Sequence, residues 1–107
     1  MKGNVRIFMM FIVFLCCYHW LHGQHTSSLK KQIEDKSGIE KVNLLIKLCN
    51  DCSDDELESD TRNLLDYSYK KNIPIGISAG YYYLGLNFEN NNQNDSALHY
   101  FNRSLNL

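Results

Sequence analysis

Three groups of side chains could do chemistry. Cys49-Asn50-Asp51-Cys52 is a CxxC. Two thiols at that spacing form a redox pair when a thioredoxin-like strand and helix surround them, or supply half of a tetrahedral zinc site. No strand pattern flanks this pair, and beyond residue 23 the only imidazoles are His25 and His99, far apart in sequence. The expected role is therefore packing, since free cysteine enters apolar interiors readily. A disulfide in an oxidising compartment, or a metal or redox role, is the alternative. Asp51, Asp54, Asp55, Glu56, Glu58 and Asp60 place six acids within ten residues. A calcium loop of the EF-hand kind needs alternating acids around a central Gly, and no Gly occurs here. Acids in the first turn of a helix suit its dipole, so the run is read as a solvated helix start; a patch for a basic partner is the alternative.

His19, His22 and His25 recur every third residue, but they straddle a candidate cleavage point, so they are not read as a metal site. Asn94-Asp95-Ser96 and Asn102-Arg103-Ser104 match the glycosylation sequon, both in predicted helix or its cap. Neither a phosphate loop, a nucleophile elbow nor a zinc-protease motif is present. The reading assigns no catalytic residue, no metal ligand and no cofactor, and the chain is not read as an enzyme; a kinase module further along a longer parent chain is compatible with it.

The elements that must position any binding surface come from 107 residues, 44% hydrophobic, with a net charge of −1. That length allows one small domain. The near-neutral balance excludes nucleic-acid binding by this segment, which needs clustered Lys and Arg. Tyr81-Tyr82-Tyr83 lacks basic neighbours and is read as helix packing, not a base-stacking platform.

Lys2 and Arg6 lead into the apolar run Ile7–Tyr18. Twelve apolar residues suit the core of an export signal, whereas a spanning helix wants about 20. Residues 1–23 are expected to be a signal peptide cut after Gly23, or else a membrane anchor; the protein is then exported (periplasmic or secreted) or anchored. Cutting there would lower eleven basic residues to nine against twelve acidic ones, for a charge of −3. Cys16 and Cys17 lack the small residue that lipid attachment wants before it and read as apolar filler.

Residues 24–40 form a lead segment: a polar, flexible stretch to Ser28, then a short helix. Two capping boxes follow, Ser37-Gly38-Ile39-Glu40 and Ser53-Asp54-Asp55-Glu56. Val42, Leu45, Leu48, Cys49 and Cys52 share one helix face, and Leu57, Leu64 and Leu65 belong to the next helix. Asn72-Ile73-Pro74 ends that helix and starts another. Asn90 through Asn94 is a turn, because Asn tolerates left-handed backbone, and a last helix begins at Asp95. No period-two strand occurs, so the fold class is all-α.

The segment Ala79–Leu105 resembles a tetratricopeptide repeat. Tyr81 stands at the large aromatic position, Leu84 and Gly85 form the Leu-Gly pair, and Phe88 takes the second aromatic position. Ala97, Phe101 and Ser104 follow at the family spacing. A shift of 36 residues gives a weaker copy, with Leu45, Leu48, Cys49, Cys52, Thr61, Leu65 and Ser68 at those positions. The family period is about 34, so two extra residues are expected in the turn between copies. The resemblance divides the chain into a degenerate repeat at 41–77 and a repeat at 78–107 that stops inside its second helix. It implies an α-solenoid of helix-turn-helix units in which Tyr81, Leu84, Gly85, Phe88, Ala97, Phe101 and Ser104 pack. It also implies that first helices line a groove for partner peptides. Carried over by position, that groove holds Asn43, Ile46 and Asn50 (with Ser53), then Ala79, Tyr82, Leu86, Glu89 and Asn90. The expected partner is a protein or peptide. The whole is similar to the N-terminal repeat region of exported bacterial sensor and regulator proteins. Further repeats in a longer chain would cover the end of the array; a stand-alone cell-envelope adaptor, self-associating as a homo-oligomer, is the alternative, and a CxxC redox protein is a third reading.

Overall fold

The computed structural model describes the backbone of residues 2–106 and whole residues at 9–16 and 25–106. Lys2, Arg6, Cys17, His19, His22 and the Gly23–Gln24 cut lie outside the wholly described residues. All regular structure among the described residues is helical: α1 Lys2–Glu34, α2 Gly38–Asp51, α3 Asp54–Lys71, α4 Pro74–Asn90 and α5 Asn94–Leu105. Each helix packs on the next, and α2 also meets α4.

The breaks between helices follow from backbone chemistry. Pro74 opens α4, where its missing N–H costs no hydrogen bond. Asn72 ends α3 at φ 55°, and Asn92 turns the chain at φ 61° before α5; asparagine enters this left-handed region more readily than most residues. The two capping boxes do not form. Neither Ser37 nor Ser53 caps its helix with its side chain. Gly38 sits at φ 63°, and its N–H donates to the Tyr67 hydroxyl at 2.7 Å. Glu40 instead lies 3.9 Å from Lys36. At Ser53 the backbone oxygen, not the hydroxyl, accepts the Glu56 N–H, at 3.0 Å.

The core gathers Leu29 and Ile33 of α1, Val42, Leu45, Leu48 and Cys49 of α2, Leu57 and Leu64 of α3, and Tyr83 of α4. Full burial of such an aliphatic side chain contributes about 1.5–3 kcal/mol. The lead segment differs from expectation. Residues 24–28 continue α1 without a break, and Ser28 lies inside the helix. Leu29 and Ile33, packed in the core, directly follow that stretch, and His25 Nε2 within it lies 3.0 Å from Asp51 Oδ2. Met9 through Leu15 are all exposed, clear of the helical body. No helix among the described residues is long and apolar enough to cross a membrane.

Candidate functional site

Small residues decide how closely α4 approaches its neighbours. A Cβ on Gly85 would fall 2.6 Å from Phe101 Cδ1 and Cε1 and 3.2 Å from the Ala97 carbonyl oxygen. Gly85 and Ala97 are both buried. The corresponding close approach between α2 and α3 joins Cys49 and Thr61: the Thr61 hydroxyl donates to Cys49 Sγ at 4.0 Å. On the other side of α4, side chains at Gly76 and Gly80 would overlap Ser68 and Leu65 of α3.

An aromatic ladder continues this packing on α4 and α5. Phe88 stacks on Tyr100 with centroids 5.2 Å apart, and Tyr100 stacks on Tyr81 at 6.1 Å. Tyr81 is buried, hydrogen-bonds Tyr69 through their hydroxyls, and carries the Arg103 guanidinium 4.7 Å above its ring. The hydrogen bond to Tyr69, then burial, hold its phenol above the usual range. Of the other residues expected to pack, Leu84, Phe88, Phe101 and Ser104 are half-buried. Ser104 ties α5 to α4: its hydroxyl donates to the Ser78 carbonyl at 2.7 Å, and the Ser78 hydroxyl donates to the Ser104 carbonyl at 2.8 Å.

The residues expected to line a groove divide by burial. Asn43, Asn50, Glu89 and Asn90 are exposed, and Tyr82 is 47% exposed. Ile46, Ala79 and Leu86 are half-buried against the core. Asn90 Nδ2 donates to Asp54 Oδ1 at 3.3 Å, joining the end of α4 to the start of α3. Tyr82, Leu86 and Glu89 come together in a cleft of about 350 Å³, whose other wall is Phe101, Ser104 and Leu105 of α5. Leu105 is 82% exposed. By position Phe101 and Ser104 belong with the packing residues, and Leu105 with neither the packing nor the groove set, at the open end of the array. The signal for it was an apolar residue four positions after Phe101, on the same helix face.

The CxxC thiols are poor nucleophiles here. Burial pushes the Cys49 thiol up to about 12, with the Thr61 hydroxyl opposing, and pushes Cys52 up to about 11, helped by the Asp60 charge. Both remain protonated at neutral pH, and the reactive form of a thiol is the thiolate. Cys52 Sγ donates to the Cys49 carbonyl at 3.3 Å. Asp60 departs from the solvated-run expectation: it is 4% exposed and its Oδ2 has no hydrogen-bond partner. Burial raises its carboxyl pKa, against the pull of Lys30. Among the described residues no three His, Cys, Asp or Glu side chains converge as a metal site requires. No protein-family model, curated protein or solved structure matches the chain.

Proposed function

We propose that α2–α3 and α4–α5 are two copies of one tetratricopeptide-type hairpin, and that the chain is a protein-binding module. The observation that carries this reading is one of register. The Cys49–Thr61 and Gly85–Ala97 approaches each join positions twelve apart, and the two pairs are offset by 36 residues. Units built this way bury their faces on neighbours and leave their first helices side by side. Here α2 meets α4, and Asn43, Asn50, Tyr82, Glu89 and Asn90 remain exposed to a ligand. This polar, weakly charged surface suits an extended peptide held by side-chain amides and one aromatic ring. The proposed setting is export to the periplasm or cell surface, with the array as the N-terminal part of a longer bacterial sensory or regulatory protein.

A peptide-display selection against the full chain tests the reading. Enriched peptides should lose binding when Asn43→Glu and Asn50→Glu are introduced together, with helicity unchanged by circular dichroism. Failure to enrich any sequence, or enrichment indifferent to those substitutions, would overturn it.

A further inference from the structure

The first hairpin buries groups that its packing does not require. At the end of α2, Cys49 is buried and Cys52 half-buried, both as free thiols. Asp60 of α3 is buried beside them. The Cys52 thiol hydrogen-bonds its carboxylate, and Asp60 Oδ2 has no partner among the described residues. In the hairpin-copy reading, the 36-residue offset sets Cys49, Cys52 and Asp60 on Gly85, Phe88 and Ser96. The second hairpin therefore closes with neither a thiol nor a carboxyl at those positions. Burying a carboxylate without full hydrogen bonding is costly, so packing alone gives no reason for Asp60.

The backbone brings the two thiols within bridging range. The Cys52 N–H bonds the Leu48 carbonyl at 2.9 Å, so the chain keeps its helical course up to Cys52. Positions three apart on a helix have Cα atoms about 5 Å apart, which a disulfide spans. Cys52 Sγ folds back over that turn, 3.3 Å from the Cys49 carbonyl oxygen. Cys49 lies deeper, its Sγ against the Thr61 hydroxyl. Both thiols are protonated at neutral pH, so exchange needs a base in contact with the attacking sulfur. Asp60 is in that contact. Lys30 of α1 and Glu56 of α3 also face Asp60, and Asp51 of α2 and Tyr83 of α4 share the thiols' surroundings.

We propose that Cys49 and Cys52 form a disulfide by thiol–disulfide exchange, with Cys52 attacking, Cys49 resolving and Asp60 accepting the Cys52 proton. The oxidant is a low-molecular-weight or protein disulfide, the class found in the oxidising compartment proposed above. Cys52 Sγ attacks one sulfur of that disulfide. Its proton passes to Asp60 and on to the departing thiolate. Cys49 Sγ then attacks Cys52 Sγ and expels the second thiolate, which takes the Cys49 proton. Two protein thiols are oxidised to one disulfide, and the oxidant is reduced to two thiols. The ring encloses Asn50, a residue of the proposed groove, and Asp51, the partner of His25 on α1.

The test uses the full chain carrying Cys16→Ser and Cys17→Ser, reduced and then mixed with oxidised glutathione. Samples are quenched with acid, alkylated and weighed by mass spectrometry. The chain should become two hydrogens lighter and escape alkylation. With Cys49→Ala it should stop at a glutathione mixed disulfide on Cys52, and with Cys52→Ala, Cys49 should stay unmodified over the same time. Asp60→Asn, with helicity checked by circular dichroism, should slow the reaction about tenfold or more. Its rate should climb about tenfold per pH unit, as expected when thiolate alone reacts, where the parent chain's rate is shallow across neutral pH. Three results would each overturn the proposal: no internal disulfide in excess glutathione, Cys49 modified in Cys52→Ala as fast as Cys52 in Cys49→Ala, or the same pH profile with and without Asp60→Asn. The outcome is separable from that of the groove reading, because Asn43 and Asn50 are unaltered in every variant.

Discussion

Replacing Gly85 by Ala sets two effects of opposite sign against each other. Alanine in a helix interior is favoured over glycine by about 1 kcal/mol. Against that, the new Cβ would lie 2.6 Å from two ring carbons of Phe101 and 3.2 Å from the Ala97 carbonyl oxygen. Overpacking of this kind costs about 1–3 kcal/mol. The ring can retreat in part, because Phe101 also lines the open cleft, but the carbonyl belongs to the α5 backbone and cannot. The net expectation is a loss of about 1 kcal/mol, which for a domain of this size lowers Tm by about 4–8 °C. Phe101→Ala removes the main obstacle, so in that background Gly85→Ala should become stabilising. Urea denaturation of the four proteins, followed by circular dichroism at 222 nm, should give a coupling of about 1–3 kcal/mol. Equal stabilisation by Gly85→Ala in both backgrounds would refute the close approach of α4 and α5.

Other consequences can be measured independently. Asp60 takes up protons more readily in the folded chain, so stability falls as pH rises from its unfolded value of 3.8 through the raised one. Asp60→Asn keeps the site neutral, and its stability advantage should widen as pH climbs through that window; an advantage flat with pH would contradict the burial argument. In a Cys16→Ser, Cys17→Ser background, Ellman's reagent at mildly alkaline pH should modify Cys49 and Cys52 slower by about one to two orders of magnitude in native than in urea-unfolded protein. Comparable rates would mean the thiols are not shielded. Asn72→Ala should cost about 1–2 kcal/mol at its left-handed position while Asn72→Gly keeps or raises Tm; equal effects would place the α3 stop elsewhere.

Much of the helical layout was legible because it rests on residues that restrict the backbone locally. Pro74, Asn72 and Asn92 mark their turns whatever surrounds them, and the spacing of Gly85, Ala97 and Phe101 announces a close helix pair. Interactions between distant residues were not legible. Ser37 and Glu40 spell a capping box, but the Tyr67 hydroxyl, 29 residues away, takes the Gly38 N–H. Residues 24–28 look like a flexible lead, yet they are helical, with His25 against Asp51 and Leu29 and Ile33 packed directly after them. Asp60 was hidden among five other acids. The stripe Leu57, Thr61, Leu64 and Ser68 would have revealed it, since a residue three after Leu57 shares that buried face. Tyr82, Leu86 and Glu89 follow one another at spacings of four and three on α4, and they line one cleft. That α5 completes a cleft with them depends on how two helices cross, which no spacing within one helix encodes.

The account turns on the claim that the two hairpins pack in the same register, and nuclear Overhauser contacts test it most directly. It predicts cross-peaks between Gly85 Hα and the Ala97 methyl, between Cys49 Hβ and the Thr61 methyl, and between Gly80 Hα and the Leu65 methyls. If the Gly85–Ala97 contact appears while Thr61 instead contacts a residue other than Cys49 on α2, the hairpins are not copies of one unit, and the proposed groove loses its basis.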